Sequence, residues 1–384
     1  MRRGAEQEKG GLTFWRALWR TLRYRVADTL GIRVRPRKLR LAATKRCNSR
    51  CSMCSVWKAP HSSANEITAD EIRKIAQRNR RFLARLSHVS FTGGEPTLRN
   101  DLVELVRAAH EAFPRAAFNI NTNGFNPARV VAMVREILTF HRRLAAMVSL
   151  DGLGEVHNAV RGVPGVFPRV VETIDQLVAL RESGRKVSIE ANFVLCNRNS
   201  DQLMPVFHFC RERGIAFNPI YPVYGQLYEN DDAEIGLDRH SMHEFLGDLR
   251  EIRRTDGSLA LRELEQQLLG VPRDFDCWAG RTLLFIESDA TVFPNGGCPP
   301  RFRLGNLRDF DYSFPALLRS PRAREVLRDL RKCRLCRIPC ETLTTLGGPE
   351  ALAAYRKMRA SPVFPPAGAP APSRIFENSP RERE

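Results

Sequence analysis

The chain has 384 residues, of which 43% are hydrophobic, so it is long enough to bury a full core. Its 61 lysines and arginines outnumber its 43 aspartates and glutamates, and the formal net charge of +18 predicts an anionic partner or surface. No apolar run reaches the roughly 18 residues of a membrane span, and no secretory signal is recognisable. We therefore expect a cytoplasmic protein. Eight of its ten cysteines fall into two clusters, which indicates metal binding rather than disulfides.

Residues 1–37 are a basic leader with an amphipathic pattern. Between residues 12 and 30, Trp15, Leu18 and Trp19 begin an apolar series at helical spacing, and arginines occupy much of the remaining surface. The pattern is typical of a helix in a membrane interface, which would place the protein peripherally at the inner face of a membrane. It is equally typical of a helix packed on the wall of the next domain. We expect no nucleic-acid partner, because no recognition module accompanies the charge.

From residue 38 to residue 225, short apolar runs alternate with longer helical patterns. Repeated strand–helix units predict an α/β fold with a parallel sheet, and six of them suit an incomplete (β/α)6 TIM-like barrel. The predicted strands cover residues 39–44, 88–93, 117–122, 146–151, 187–195 and 215–220. Helical patterns include residues 69–86 and 167–184, and the second ends at Gly184 as a predicted C-cap.

Unusual residues follow the ends of these strands. A cysteine-rich segment follows the first strand, "GGEP" (93–96) the second, "NTNG" (121–124) the third and "SLDG" (149–152) the fourth, while Asn192 lies late in the fifth. Because the active sites of parallel barrels gather at the carboxyl ends of the strands, we predict one site from these segments.

Three cysteines, Cys47, Cys51 and Cys54, follow the first strand with C-x3-C-x2-C spacing. Thiolates are soft ligands that select zinc, copper(I) or iron–sulfur clusters. Structural zinc sites usually take four ligands, whereas three cysteines in one tight loop suit a [4Fe–4S] cluster. Three protein ligands leave one iron open, and an open position is where a substrate or cofactor binds.

Together with "GGEP" and the incomplete barrel, this triplet resembles the radical S-adenosylmethionine (SAM) enzymes over roughly residues 39–225. The resemblance implies that the three cysteines ligate a [4Fe–4S] cluster that binds SAM. It implies that an electron from the cluster cleaves SAM to methionine and a 5′-deoxyadenosyl radical, which removes a hydrogen atom from a substrate. A reductase such as flavodoxin or ferredoxin would supply that electron.

The resemblance also implies which residues contact SAM near the cluster loop. Met53 would pack against the adenine. Gly93 and Gly94 would let the backbone approach closely, and Glu95 would help to hold the methionine amino group.

Further SAM contacts are implied on later strands. Ser149 and Asp151 would face the ribose, and Arg161 would pair with the SAM carboxylate. Asn192 would contact the ribose or the methionyl group, or else cap its strand.

Two further cysteines belong to the barrel. Cys196 follows the fifth strand at the active end, where a thiol can return a hydrogen atom to a substrate radical, so we treat it as a candidate catalytic residue. The alternative for Cys196, and the expectation for Cys210, is a buried small hydrophobe.

The C-terminal half has three predicted parts. They are a helical connector at 226–268, an auxiliary domain at 269–345, and a helix followed by a disordered proline-rich tail at 346–384. The auxiliary domain combines a predicted β-hairpin with five cysteines, namely Cys277, Cys298, Cys333, Cys336 and Cys340. It resembles the SPASM/twitch extension of the radical SAM enzymes, which implies one auxiliary [4Fe–4S] cluster. The spacing leaves open which four cysteines bind it, and a zinc ribbon is the alternative.

Three functions are compatible with these features. The first is a radical SAM enzyme acting on a small-molecule, sugar or lipid-linked substrate, and the second is a peptide or protein maturase. The third is a non-catalytic iron–sulfur electron carrier, against which the SAM-binding motifs argue. Residues 1–37 are too few for the peptide-binding domain that many maturases carry, which favours the first function. Oxidation, epimerisation and bond formation remain open as outcomes, as does the oligomeric state.

Overall fold

The computed structural model describes residues 26, 34–58, 63–222, 228, 230, 235–255, 259–271 and 277–333. The predicted amphipathic helix at residues 12–30, apart from Val26, lies outside these residues, as do Cys336, Cys340 and the proline-rich tail. Within the described part of the chain, no helix is both long enough and apolar enough to cross a membrane.

The strands form a single open sheet. In chain order they are β1 (Lys38–Thr44), β2 (His88–Gly93), β3 (Ala117–Thr122), β4 (Leu144–Ser149), β5 (Val187–Val194), β6 (Ala216–Ile220), β7 (Leu283–Ile286), β8 (Thr291–Phe293) and β9 (Gly305–Asn306). Their order across the sheet is β6-β5-β4-β3-β2-β1-β7-β8-β9. Strands β1 to β6 are all parallel, which confirms the predicted α/β partial barrel; the sheet does not close on itself.

The helices connect and cover these strands. In chain order they are α1 (Ala69–Arg78), α2 (Leu102–Ala112), α3 (Pro127–Phe140), α4 (Glu155–Arg161), α5 (Phe167–Glu182), α6 (Leu203–Glu212), α7 (Arg239–Thr255), α8 (Leu259–Leu268), α9 (Phe314–Leu317) and α10 (Pro321–Lys332). Neighbouring helices pack in pairs outside the sheet, α1 on α2 and α3 on α5. Helices α7 and α8 fall in the predicted helical connector and pack on each other.

Residue alternation along the strands separates an outer, fully buried face from an inner, partly open one. In β4, Leu144, Ala146 and Val148 are buried under the helices, while the residues between them are only half-buried. Burial alternates with the same period of two residues along strands β3 and β5. The inner faces therefore line a space inside the barrel, and the chemistry of that space depends on every second residue of each strand.

The predicted C-terminal hairpin is an extension of the barrel sheet. Strand β7 pairs in parallel with β1, with Lys38 opposite Leu283, and β8 then pairs antiparallel to β7. The auxiliary region is thus joined to the barrel through backbone hydrogen bonds next to the strand that precedes Cys47.

An ion pair between the buried Glu71 and the exposed Arg308 fastens this extension to helix α1. The Glu71 carboxylate accepts hydrogen bonds from Arg308 Nε at 2.7 Å and from the Tyr312 hydroxyl at 2.9 Å. It also completes a capping box with Thr68 at the start of α1. The hydrogen bonds from Arg308, Thr68 and Tyr312 outweigh burial and lower the pKa of Glu71 to about 2.

We expect Glu71→Gln to lower the free energy of unfolding by about 1.5–3 kcal/mol, because glutamine preserves the capping box but loses the charge-assisted contact with Arg308. Since the pKa of Glu71 is depressed, this contribution is fully present at neutral pH and is lost only as the pH falls toward 2. Chemical denaturation at pH 7.5 measures the effect. The matched control is Glu111→Gln, whose exposed pair with Arg73 should contribute below about 1 kcal/mol. Equal effects of the two substitutions would contradict the assignment.

Candidate active site

The three cysteines of the first loop open onto one cavity. The loop leaves β1 at its carboxyl end, and Cys47, Cys51 and Cys54 all line a space of about 1230 Å³ inside the barrel. Cys51 is buried, and the other two are half-buried. The sequence prediction that these thiols share one site therefore agrees with their placement.

The thiols need positive charge nearby if they are to ionise. Burial, together with the charge of neighbouring cysteines, raises the pKa of Cys47 to about 11 and that of Cys54 to about 12. The Ser49 amide donates to Cys47 Sγ at 3.4 Å, and the Ser49 hydroxyl lies 3.1 Å from Cys51 Sγ. A bound metal supplies the missing charge, because metal binding displaces the thiol protons.

A [4Fe–4S] cluster and a single metal ion need different arrangements of the thiols. Within the described residues, no three His, Cys, Asp or Glu side chains are arranged to hold one metal ion. In a [4Fe–4S] cluster each cysteine binds a different iron, so the thiolates do not converge on one point.

Two glycines contact the start of the segment that follows β1 and carries Cys47, Cys51 and Cys54, which we call the cluster loop. The Gly94 amide donates to Thr44 O at 2.7 Å, and a Cβ atom at Gly94 would lie only 2.2 Å from Arg46 O. Gly93 has φ +126° and would clash with Thr44 O in the same way. Both line the cavity. Their lack of side chains lets two backbone segments touch at the carboxyl ends of β1 and β2.

Glu95 is the centre of a hydrogen-bond network on the cavity wall. Its carboxylate, in a residue only 2% exposed, accepts from Thr97 N and Oγ1 at 3.1 and 2.6 Å, from Thr122 Oγ1 at 2.8 Å and from Asn123 N at 2.6 Å. Asn123 Nδ2 then donates to Asn48 Oδ1 at 2.7 Å. Burial raises the pKa of Glu95, and these donors counteract it. The carboxylate thus ties the cluster loop to β3.

We expect Glu95→Gln to lower the free energy of unfolding by about 1–3 kcal/mol, because a glutamine amide group would face donors that now meet carboxylate oxygens. Misplacement of the cluster loop should also weaken SAM binding. Equilibrium dialysis with labelled SAM and anaerobic thermal denaturation measure the two effects. The control is Glu182→Gln at the exposed end of α5, which should change neither quantity. Wild-type stability and affinity in Glu95→Gln would contradict the network.

Helix α4 supports the cluster loop from the other side. The amides of Arg50 and Ser52 donate to the carbonyls of Arg161 and Val160 at 2.8 and 2.9 Å, which satisfies the carboxyl end of α4. Gly162 follows with φ +64°, and a Cβ atom there would lie 2.2 Å from Arg50 O. The loop that carries the cysteines is therefore hydrogen-bonded to the helix that carries Arg161.

Arg161 lies on the cavity wall between a thiol and a buried carboxylate. Its Nη1 donates to Cys51 Sγ at 3.6 Å, and its Nη2 forms an ion pair with Asp151. Asp151 Oδ1 accepts from Val194 N at 2.7 Å. Arg161 Nε is buried and has no hydrogen-bond partner among the described residues. The Arg161 guanidinium therefore contacts the Cys51 thiol and the Asp151 carboxylate on one wall of the cavity.

The structure corrects the expected position of Asp151. This residue is 0% exposed and lies behind Arg161, not among the described residues that line the cavity. The reason is the charge of Arg161, which a carboxylate at this depth requires as a partner. In the structure the Asp151 carboxylate therefore contacts the arginine and not the cavity.

The other residues predicted to contact SAM lie on the cavity wall. Ser149 is half-buried and pairs in register with Asn192 on β5. Met53 is buried, and its carbonyl accepts a hydrogen bond from Asn230 at 2.8 Å. All three line the cavity, so Asp151 is the exception among the SAM-contact predictions.

The position of Cys196 does not suit the role of hydrogen donor that was considered for this residue. The residue is 0% exposed, packs in an apolar cluster with Cys51, Met53 and Val194, and is not among the described residues that line the cavity. Burial raises the pKa of its thiol to about 11. Its surroundings match the alternative, a buried small hydrophobe, and Cys210 on α6 is buried as predicted.

Three of the five C-terminal cysteines are described. Cys277 and Cys298 flank the β7–β8 hairpin and are buried, while Cys333 caps the end of α10 and is half-buried. The hairpin base touches α10, because Arg281 Nη2 donates to Leu327 O at 3.1 Å. The elements that carry these cysteines are therefore in contact, and soft thiol donors of this kind suit an iron–sulfur cluster or zinc.

The sequence indicated Asn192 and the segment 121–124 as parts of the site, but not the row of polar side chains that they form with Ser90 and Asn218 on the inner faces of the strands. Asn192 Nδ2 donates to Asn121 Oδ1 at 3.3 Å, Asn218 Nδ2 donates to Asn192 Oδ1 at 2.8 Å, and Asn121 Nδ2 reaches Ser90 Oγ at 3.3 Å. We call Ser90, Asn121, Asn192 and Asn218 the amide belt. The available signal was the presence of asparagine at alternating positions inside otherwise apolar strands.

Known proteins resemble the barrel part of this chain in sequence. Residues 41–209 match the Radical SAM superfamily. Among curated relatives, the pre-heme d1 synthase of Dinoroseobacter shibae is 24% identical over 52% of this chain and 47% of its own length. The GTP 3′,8-cyclase of Edwardsiella ictaluri is 32% identical over 53% of this chain and 58% of its own length. The AdoMet-dependent heme synthase of Methanosarcina barkeri is 26% identical over 71% of this chain and 80% of its own length. The chain spans about half the length of the first two relatives.

Solved structures share the fold. The structure described as "Native anSMEcpe with bound AdoMet" superposes with a TM-score of 0.55 at 18% identity, and the match covers 84% of this chain and 98% of that one. SuiB of Streptococcus suis bound to the precursor peptide SuiA superposes with a TM-score of 0.56 at 19% identity. That match covers 76% of this chain and 68% of SuiB. At these identities the likeness extends to the fold alone.

Proposed function

We propose that this chain, whose residues 41–209 match the Radical SAM superfamily, reductively cleaves SAM and removes a hydrogen atom from a small-molecule substrate held inside the barrel. The main support is that the three cysteines of the first loop, the Gly93–Glu95 turn and Arg161 open onto one cavity. When bound, a [4Fe–4S] cluster with one open iron supplies the site for SAM and the electron that generates the 5′-deoxyadenosyl radical.

In this proposal the cavity wall holds SAM at several points. Cys47, Cys51 and Cys54 ligate the cluster. Arg161, which lines the cavity, binds the SAM carboxylate through its guanidinium, while Asp151 keeps the guanidinium in place.

The remaining proposed contacts with SAM involve other residues that line the cavity. Met53 packs against the adenine, Ser149 and Asn192 face the ribose or the methionyl group, and the backbone at Gly93 and Gly94 allows close approach. Glu95 orders the turn beside the methionine amino group.

The proposal includes an auxiliary [4Fe–4S] cluster on the C-terminal cysteines. Cys277, Cys298 and Cys333 lie on elements in contact with one another, and Cys336 and Cys340 belong to the same cysteine series. A flavodoxin- or ferredoxin-type reductase is the electron donor in this scheme. The auxiliary ligands can be tested by iron content, since losing them should remove about four irons per chain.

A small-molecule substrate is favoured over a peptide. The names of the curated relatives refer to heme compounds and GTP, whereas the peptide-bound SuiB resembles this chain in fold alone. A peptide or protein maturase remains the second candidate, because the cavity of about 1230 Å³ also accommodates a short extended segment.

Deuterium transfer distinguishes the two candidates. Reduced, anaerobically reconstituted protein is incubated with SAM and with size-separated fractions of a lysate from cells grown in heavy water. We expect deuterium to enter 5′-deoxyadenosine from the low-molecular-weight fraction. Transfer from the peptide or protein fraction alone would favour the maturase and contradict the small-molecule substrate.

A further inference from the structure

A carboxylate on the inner face of β5 lies halfway down the cavity. Glu190 stands between Ile189 and Ala191, which are buried under the helices, so its own side chain takes an inward position and lines the cavity. Asn192 lies two residues further along the strand, about 7 Å closer to the cluster loop. The cavity lining continues in the other direction to Val187 at the amino end of β5. Glu190 is therefore placed below the proposed SAM contacts, where the cavity has room for a substrate.

The Glu190 carboxylate has no hydrogen bond and no ion pair with the residues that the structure describes. Glu95, the other carboxylate among the described lining residues, accepts four hydrogen bonds. Burial raises the pKa of Glu190, and no charge or donor from the described part of the chain counteracts it. A half-buried carboxylate without a partner costs free energy, which a bound cation would offset. The oxygens of Glu190 are thus available to a ligand.

The nearest neighbours of Glu190 on the inner faces of the strands are neutral. In the register of the sheet, Met147 on β4 and Ala216 on β6 stand on either side of it. Asn121 follows at the same level beyond Met147, and all three line the cavity. The closest cation along the same strand is the exposed Lys186, four residues or about 13 Å away. Glu190 is therefore the source of charge at this depth of β4, β5 and β6.

The chemistry of this wall selects for a nitrogen cation. An ionised carboxylate only accepts hydrogen bonds, and its strongest partners are charged N–H donors. Its two oxygens match the paired N–H groups of an amidinium or guanidinium, and each can also accept from an ammonium group. The amide belt beside it both donates and accepts, so it can bind uncharged polar groups of the same ligand.

We propose that Glu190 determines substrate specificity by binding a cationic nitrogen group, an ammonium or an amidinium-type group, of the small molecule held inside the barrel. The amide belt hydrogen-bonds the neutral polar part of that molecule. This inference rests on the proposed function and names one charged group of its substrate. The reacting C–H bond would then lie between Glu190 and the SAM contacts at the level of Asn192.

The test uses four probes of similar size that differ in charge. Benzamidine and benzylamine are cationic, benzamide is neutral and benzoate is anionic. Titration calorimetry on the reconstituted, SAM-saturated protein measures their dissociation constants. We expect at least one cation to bind, and both benzamide and benzoate to bind at least about tenfold more weakly than that cation, because hydrogen bonds between charged partners are the stronger ones.

Replacing the carboxylate separates ligand binding from a structural role. We expect Glu190→Gln to weaken cation binding at least about tenfold, while the free energy of unfolding stays the same or rises, because the variant removes a desolvated charge. A carboxylate with a structural role would lose stability instead, as expected for Glu95→Gln. The control is Glu182→Gln at the exposed end of α5, which should change neither quantity.

A second pair of variants leaves Glu190 in place and occupies its oxygens. Ala216→Lys puts an ammonium group beside Glu190 and should weaken cation binding about tenfold. Ala216→Met adds a side chain of similar length without charge and should weaken binding by about threefold or less. The comparison of these two variants tests the inference even if Glu190→Gln does not fold.

Each result has a defined consequence. Binding of one cation alone supports the inference and selects ammonium or amidinium. Failure of both cations, equal binding of benzamide or benzoate, unchanged cation binding in Glu190→Gln, or equal affinities in Ala216→Lys and Ala216→Met would overturn it. SAM cleavage by the same wild-type preparation separates the two levels. Cleavage without selective cation binding refutes this inference only, while no cleavage by fully loaded, reduced wild-type protein refutes the proposed function.

Discussion

Replacing Cys47, Cys51 and Cys54 together by alanine is expected to abolish SAM cleavage while leaving a folded protein. The three thiols line one cavity and ligate one cluster in our proposal, so the variant should retain about four irons per chain where the wild type holds about eight. Anaerobic reconstitution followed by iron and sulfide determination measures this. The loss of activity should be complete, because no other group of described residues offers the open iron.

The control for this experiment is Cys210→Ala. Cys210 is a buried thiol on α6 away from the cavity lining, and its replacement should leave iron content and SAM cleavage as in the wild type. Zinc in place of iron in the wild-type protein, or SAM cleavage by the triple variant, would contradict the assignment of the cluster.

Replacing Arg161 by methionine is expected to cause the second large effect. It leaves the Asp151 carboxylate fully buried without its cation, and removing one partner of a buried pair costs about 3–5 kcal/mol of folding free energy. The same change removes the donor proposed for the SAM carboxylate. Anaerobic denaturation and labelled-SAM dialysis measure the two losses separately.

A double variant separates these two losses. Arg161→Met/Asp151→Asn should recover part of the stability, because the buried charge is removed together with its partner, but it should not recover SAM affinity. If Arg161→Met alone had wild-type stability, the buried pair would not contribute as described. If the double variant bound SAM normally, Arg161 would not contact the carboxylate.

Local pattern predicted the strands well and the end of helix α1 poorly. The helical pattern over residues 69–86 continues past residue 78, where the helix ends. Asn79 terminates it by donating to Ile75 O at 2.7 Å and to Tyr312 O at 2.6 Å, and by accepting from Phe314 N at 2.8 Å. The partners of Asn79 in the C-terminal region lie far away along the chain, and a local pattern contains no information about them.

The same limit explains what was missed in the sheet and the site. The pairing of β7 with β1 joins segments far apart in sequence, so the hairpin was expected as a separate unit. Asp151 follows β4 in a motif that predicts a ribose contact. Its carboxylate instead forms an ion pair with Arg161 from the next helix. The cysteines and glycines were found because their spacing is local and their chemistry depends on residue type alone.

Reductive cleavage of SAM by this barrel can be measured by quantifying 5′-deoxyadenosine and methionine by mass spectrometry. Anaerobically reconstituted wild-type protein is incubated with SAM, with and without a strong reductant. We predict 5′-deoxyadenosine and methionine in equal amounts, formed only with the reductant and absent in the Cys47/Cys51/Cys54→Ala variant. Protein that carries its full iron content and a reduced cluster but forms no 5′-deoxyadenosine would contradict the account.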